Sequence, residues 1–284
     1  MIKLPQATVT DLLLSLEAEF GVRIKYAAEV GSRAWGYASD TSDLDIQFVY
    51  VQLPWAKRIE DRQDTIRVNR DITFIVDGVE HSMHLDILGF EMRKAIQKFT
   101  ASDLTYHELL DTSRLLGADS DAMDSLTEVA HHYRNDSTLF QVCLDLSKRN
   151  LYIGGVNRKG DVVTSKSLIL GLRFALMAYT LSTPGTLECR LDNLITMNSI
   201  RAPWVKGTLD WLTANRDMTA DHLLSDPRTM QIIQLYHKVV ELPHPKGKRD
   251  HDMTFANEHY RRIVQETLAT YHVTNASDLI AGVF

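Results

Sequence analysis

The nine residues Asp43–Val51 constrain the fold more than any other stretch of this 284-residue chain. They alternate without a break. Asp43, Asp45, Gln47 and Val49 fall on one side, and Leu44, Ile46, Phe48 and Tyr50 on the other. That period of two belongs to a β-strand, with one face against a hydrophobic core and the other bearing acids. Val22–Val30 reads as a second strand, and Asp77-Gly78, between 71–76 and 79–88, as a hairpin turn. Helical spacing of Leu12, Leu13, Leu16 and Phe20 predicts a helix over 7–20, started by Thr8 or Thr10 and stopped at Gly21. Further helices are expected at 89–99 and 105–110.

Beyond about residue 120 the character changes. Residues 122–134, 137–152, 165–181, 205–215, 219–224, 228–241 and 252–270 all read as helices, with breaks at Gly154-Gly155, Thr183–Gly185, Ala202-Pro203 and Pro243–Gly247. The expected fold class is therefore α+β, with an α/β domain over 1–120 and a helical domain over 121–284. Lys and Arg number 31 against 37 Asp and Glu, a formal charge of −6, which argues against a broadly basic nucleic-acid wrapper but not against a local basic groove. Two cysteines without C-x-x-C spacing support neither a disulfide scaffold nor a zinc cluster. The start lacks a signal peptide's apolar stretch, and Arg173 interrupts the greasiest segment, 167–181, so a cytoplasmic protein without a membrane partner is expected.

The chemistry concentrates in GSRAWGYASDTSDLDIQFVY, Gly31–Tyr50. Gly31-Ser32 follows a strand and opens a short helical turn, where backbone amides and the Ser32 hydroxyl can hold a phosphate. Asp43 and Asp45 emerge from one strand face, an arrangement that is costly unless a cation compensates it. Asp86, on a later strand, supplies a third carboxylate. Phosphates on a glycine turn beside carboxylates on a strand point to metal-assisted phosphoryl transfer. No Walker lysine accompanies Gly31-Ser32, which disfavours an ATPase.

The segment resembles the G-S…S-D-x-D signature of the DNA polymerase beta-like nucleotidyltransferase superfamily. Its longer form looks most like the predicted nucleotidyltransferases of the YcgL type, some of which are described as linked to RNA repair. The resemblance implies a polymerase-beta-like catalytic domain, a small mixed sheet with helices, followed by a helical domain. It assigns Gly31 and Ser32 to the nucleotide's phosphates, and Asp43, Asp45 and Asp86 to two Mg2+ ions, with Mn2+ as a substitute. The match at Asp86 is looser and runs on into a helix carrying Lys94, a candidate for the leaving pyrophosphate. Ser165-Lys166 and Leu172-Arg173 look like the family's K…L-R helix, and seven-residue spacing puts Lys166 and Arg173 on one helix face. Arg33 is a further candidate phosphate contact, with Asp40 as its alternative partner. Departures stand at Gln47, where relatives usually carry Arg, and at Ser102-Asp103, where they carry Asn-Pro.

The implied activity is transfer of a nucleoside monophosphate from an NTP, ATP among them, to an acceptor hydroxyl, with release of pyrophosphate. The acceptor is an RNA end or, otherwise, a protein side chain or small molecule. The alternatives are an AMPylation-like protein nucleotidylation enzyme and a non-catalytic nucleotide-binding module; the latter predicts loss of a metal ligand, and all three carboxylates are present. Trp35 and Tyr37 read as packing aromatics, and Lys98, His84, His131-His132, Asn157–Lys159 and Lys246–Arg249 as ordinary surface groups.

Overall fold

The computed structural model describes residues 3–39, 42–53, 63–112, 114–153, 162–182, 187–247 and 250–281, the last eleven as backbone only. Helix α1 (Gln6–Phe20) leads into strand β1 (Val22–Val30), the one-turn helix α2 (Gly31–Trp35) and strand β2 (Leu44–Gln52). The hairpin β3 (Thr65–Val76) and β4 (Val79–Glu91) follows, then α3 (Met92–Thr100), α4 (Leu104–Asp111), the short β5 (Leu115–Ala118) and α5 (Ser120–Tyr133). The remainder is helical: α6 (Asp136–Asn150), α7 (Ser165–Leu181), α8 (Leu191–Asn198), α9 (Val205–Ala214), α10 (Ala220–Ser225), α11 (Pro227–Val240) and α12 (Thr254–Ala281).

The strands form one mixed sheet in the order β3-β4-β2-β1-β5. β2 and β4 are parallel; the other neighbours are antiparallel. This sheet with its helices, followed by a run of helices, is the α+β arrangement expected of a polymerase-beta-like domain and a helical domain. The apolar side of β2 does what its alternation requires. Leu44, Ile46, Phe48 and Tyr50 pack with Leu85 and Ile87 of β4, Ala27 of β1, and Leu12 and Leu16 of α1. On the opposite face α3 lies against β2 and β4, and α4 and α5 against β1.

The chain divides into two compact units. One comprises Met1–Ala34, Ser39–Arg134 and Asp250–Phe284; the other comprises Trp35–Ala38 and Asn135–Arg249. The division differs from a single cut near residue 120 for a packing reason. Helix α5 packs on α3 and β1, and α12 returns to pack on α5 and α3. His132 stacks on Phe255 at 4.4 Å and meets Asp250 at 2.9 Å, while the Tyr133 hydroxyl donates to the Asp252 carbonyl. In the helical unit α7 is buried on nearly every side, wrapped by α6, α8, α9 and α11, as a helix apolar all round must be.

Several element bounds differ from the sequence expectation. β4 continues through Gly89–Glu91, where a helix was expected, because those residues still pair with Phe48–Tyr50 of β2. β3 begins at Thr65 rather than Asp71, and β5 and α8 are additional. Helix α1 starts after Pro5 without a side-chain cap, and Thr10 bonds back to the Gln6 carbonyl instead. Gly21 does end α1 in the left-handed conformation, and Asp77-Gly78 turns the hairpin with φ of 51° and 78°. Gly154-Gly155, Asn157–Lys159, Thr183–Gly185, Asp40 and Arg249 lie outside the described residues.

Candidate active site

The α3/α4 face of the sheet carries the acids, and strand register arranges them in rows. In the middle row Asn69 of β3 pairs with Asp86 of β4, Asp86 with Asp45 of β2, and Asp45 with Val30 of β1, next to Gly31. Parallel neighbours in register bring their side chains to the same face, so Asp45 and Asp86 stand side by side. One row out, Asp71 pairs with His84, and Asp43 sits just before the first residue of β2. One row in, Arg67, Leu88, Gln47 and Ala28 align. Asp43 is exposed; Asp45 and Asp86 are half-buried.

Electrostatics agree with this map. His84 and Asp71 lie 2.8 Å apart (Nδ1 to Oδ1). The imidazole is held above its usual pKa first by that hydrogen bond, and further by the charges of Asp71, Asp43 and Asp86. Two of the three candidate carboxylates are thus near enough to act on one exposed histidine.

Gly31 explains the glycine of the turn. It has φ +72°, and a Cβ built on it would lie 1.9 Å from Asp45 Oδ2 and 2.6 Å from its Cγ. Any L side chain would be strained and would also strike the carboxylate. Ser32 follows, buried at 9% exposure. With its amide nitrogen turned to the carboxylate, Asn69 donates to Asp86 Oδ1 at 3.0 Å. Asn69 is a site neighbour that sequence reading missed; its signal is the charged, alternating Thr65–Arg70 segment ahead of the hairpin.

The other candidates separate. Lys94, on the first turn of α3, donates to the Thr65 hydroxyl at the start of β3. Lys98 pairs with Asp103, the residue that caps α4. Arg33, the further phosphate candidate, is buried. It is 4% exposed and bonds Glu29, which also takes Arg114, so the guanidinium braces the end of β1. Arg173 is 1% exposed, donates from Nε to the Cys189 carbonyl at 2.7 Å, and lies 4.8 Å over Trp35. Lys166 is exposed on the first turn of the same helix. The seven-residue spacing holds, but α7 sinks into the core between the two residues, so they do not share a presented face. Trp35 and Tyr37 are buried, as packing aromatics.

Magnesium and manganese prefer hard oxygen donors, and the carboxylates on this face fit that preference in kind and in placement on neighbouring strands. They are not already gathered as a ligand shell. Among the described residues no three His, Cys, Asp or Glu side chains surround a common point. Asp45 lies against Gly31 and Asp86 takes Asn69. Among the described residues, too, no helix is long and apolar enough to cross a membrane.

Comparison with known proteins bears on the family of the chain. The family model described as "RNA repair pathway DNA polymerase beta family" matches residues 6–262. The uncharacterized protein YcgL of Bacillus subtilis (strain 168) is 29% identical over 221 residues, covering 72% of this chain and 74% of its own. A nucleotidyltransferase-like protein from Exiguobacterium sibiricum 255-15, known from a crystal structure, overlaps 92% of this chain and 80% of its own at 10% identity, with a TM-score of 0.30. An overlap at that score supports no structural inference.

Proposed function

The chain belongs to the RNA repair pathway DNA polymerase beta family, a nucleotidyltransferase family, and from that premise we propose that it is a metal-dependent nucleotidyltransferase of the YcgL type. The reaction joins an acceptor hydroxyl oxygen to the α-phosphorus of an NTP. The bond to pyrophosphate breaks, and the hydroxyl proton passes to solvent. The single observation that carries this reading is the row Gly31–Asp45–Asp86, which sets a side-chain-free turn against one carboxylate and that carboxylate beside a second.

Each residue has a role in keeping with its place. Gly31 leaves the turn open, and the Ser32 hydroxyl and backbone bind phosphate oxygens. Asp43, Asp45 and Asp86 would hold Mg2+, and a bound ion would screen charge on the transferring phosphorus and lower the pKa of the attacking hydroxyl. Lys94, bonded to Thr65 four register positions along the sheet from the Asn69–Asp86 pair, is the candidate for pyrophosphate. Exposed Lys166 is a candidate contact of the helical unit's own surface. Arg33 and Arg173 act in packing.

RNA is the acceptor class the observations favour. The family's description names RNA repair. Charge points the same way once it is divided by unit. The sheet-bearing unit has 16 Lys and Arg against 27 Asp and Glu, whereas the helical unit has 15 against 10. The chain's net acidity therefore conceals a basic helical unit suited to a polyanion. Labelled NTPs with Mg2+ and a mixture of RNA and protein acceptors test the reading. Label on RNA, lost in Asp43→Asn, supports it; label on protein points to protein nucleotidylation; NTP binding without any turnover would leave a nucleotide-binding module.

A further inference from the structure

We infer that Asn69 is a positioning residue for the carboxylate of Asp86, an inference that rests on the nucleotidyltransferase reading of this face. Asn69 lies on the edge strand β3, directly opposite Asp86 in the β3–β4 register. With its amide oriented so that nitrogen, not oxygen, faces these acceptors, Asn69 reaches Asp86 Oδ1 at 3.0 Å and the Val68 carbonyl at 3.1 Å. The second contact fixes the amide, and the first fixes one oxygen of the carboxylate.

The chemical type matters as much as the distance. An amide donates a hydrogen bond without adding charge, so it orients Asp86 and leaves its negative charge available to a cation. A lysine or arginine at the same register position would orient the carboxylate by competing with the metal. Asparagine is also a poor strand former, so propensity does not account for it here. The residue is solvent-exposed, and its removal opens no core cavity.

The test uses the full chain and Mn2+ alone, without nucleotide, with binding followed by electron paramagnetic resonance. Wild type, Asn69→Ala and Asp86→Asn are compared, and the Mg2+ concentration for half-maximal turnover is measured alongside. Asn69→Ala is expected to weaken Mn2+ binding by about tenfold or more, in the range found for residues that orient metal ligands. It should raise the half-maximal Mg2+ concentration, with NTP KM at saturating metal and the unfolding temperature both unchanged. Wild-type Mn2+ affinity in Asn69→Ala, with affinity lost in Asp86→Asn, would overturn the role of Asn69 and leave the transferase reading intact. Unchanged affinity in Asp86→Asn would remove the metal reading beneath it and the inference with it. A drop in unfolding temperature with all kinetic parameters reduced together would mark a purely structural role and also overturn it.

Discussion

Replacing Gly31 with alanine separates two effects that a glycine at this turn combines. The first is backbone strain: at φ +72° an L residue costs roughly 1–2 kcal/mol. The second is collision. The new Cβ would start 1.9 Å from Asp45 Oδ2, and ordinary contact begins at 3.4 Å, so the carboxylate has to retreat by about 1.5 Å. A misplacement near 1 Å in a reacting site costs on the order of 100-fold in rate. Gly31→Ala should therefore lose about two orders of magnitude in NTP turnover, read as pyrophosphate release with Mg2+. Its unfolding temperature should fall by only a few degrees. Gly78→Ala provides the control. Gly78, in the hairpin turn, has φ +78° with nothing within 4 Å of its virtual Cβ, so it shares the strain and lacks the collision. It should keep wild-type turnover at a similar thermal cost. Full activity in Gly31→Ala, or an equal rate loss in Gly78→Ala, would refute the claim that Asp45 is seated on the glycine for catalysis.

Other consequences follow from groups outside that turn. Burial pushes the His107 imidazole down to about 4, so the folded chain resists a proton that the unfolded chain accepts near 6.5; stability is full above pH 6.5 and falls by a few kcal/mol as the pH drops toward 4. His107→Phe, which keeps the edge contact with Phe99, should flatten that decline in chemical denaturation measured across the range. Partial burial raises the Asp119 carboxyl, but its bonds to Lys25 and the α5 amides outweigh this and hold it below the usual range; that stabilisation is present above the unfolded carboxylate pKa and lost as pH falls through the lower folded value. Asp119→Asn, which strands the buried Lys25 ammonium, should cost about 1–3 kcal/mol at neutral pH, measured by denaturant titration. Arg173→Met should destabilise by roughly 2–4 kcal/mol by removing the buried bond to the Cys189 carbonyl, whereas Lys166→Ala should leave the unfolding transition where it is.

Local patterning made the central sheet readable, because strict alternation over Leu44–Gln52 has only one placement that buries four large apolar residues. The same alternation put Asp43 and Asp45 on one face, and register then set Asp86 beside Asp45. β3 was legible only in its apolar half. In Thr65–Arg70 the polar Arg67 and Asn69 face the site instead of the core, so hydrophobic periodicity is weak just where the strand does its work. Gly89 resembles a helix start in sequence but serves β4, since a Cβ there would strike the Phe48 ring. Arg33 and Arg173 show the limit of spacing as a guide: neither the turn before Arg33 nor the period around Arg173 reveals that Glu29 and the Cys189 carbonyl claim their guanidinium groups. Total charge hides how the charge is distributed, since it averages two units of opposite sign.

Asp45 and Asp86 are held to act as one metal-binding pair, and a double-mutant comparison of metal-dependent pyrophosphate release probes that most directly. Groups that work as a unit are strongly non-additive, so Asp45→Asn, Asp86→Asn and the double variant should each fall to the same low rate. Turnover in either single variant matching the wild type, or losses that simply multiply in the double variant, would contradict the shared site.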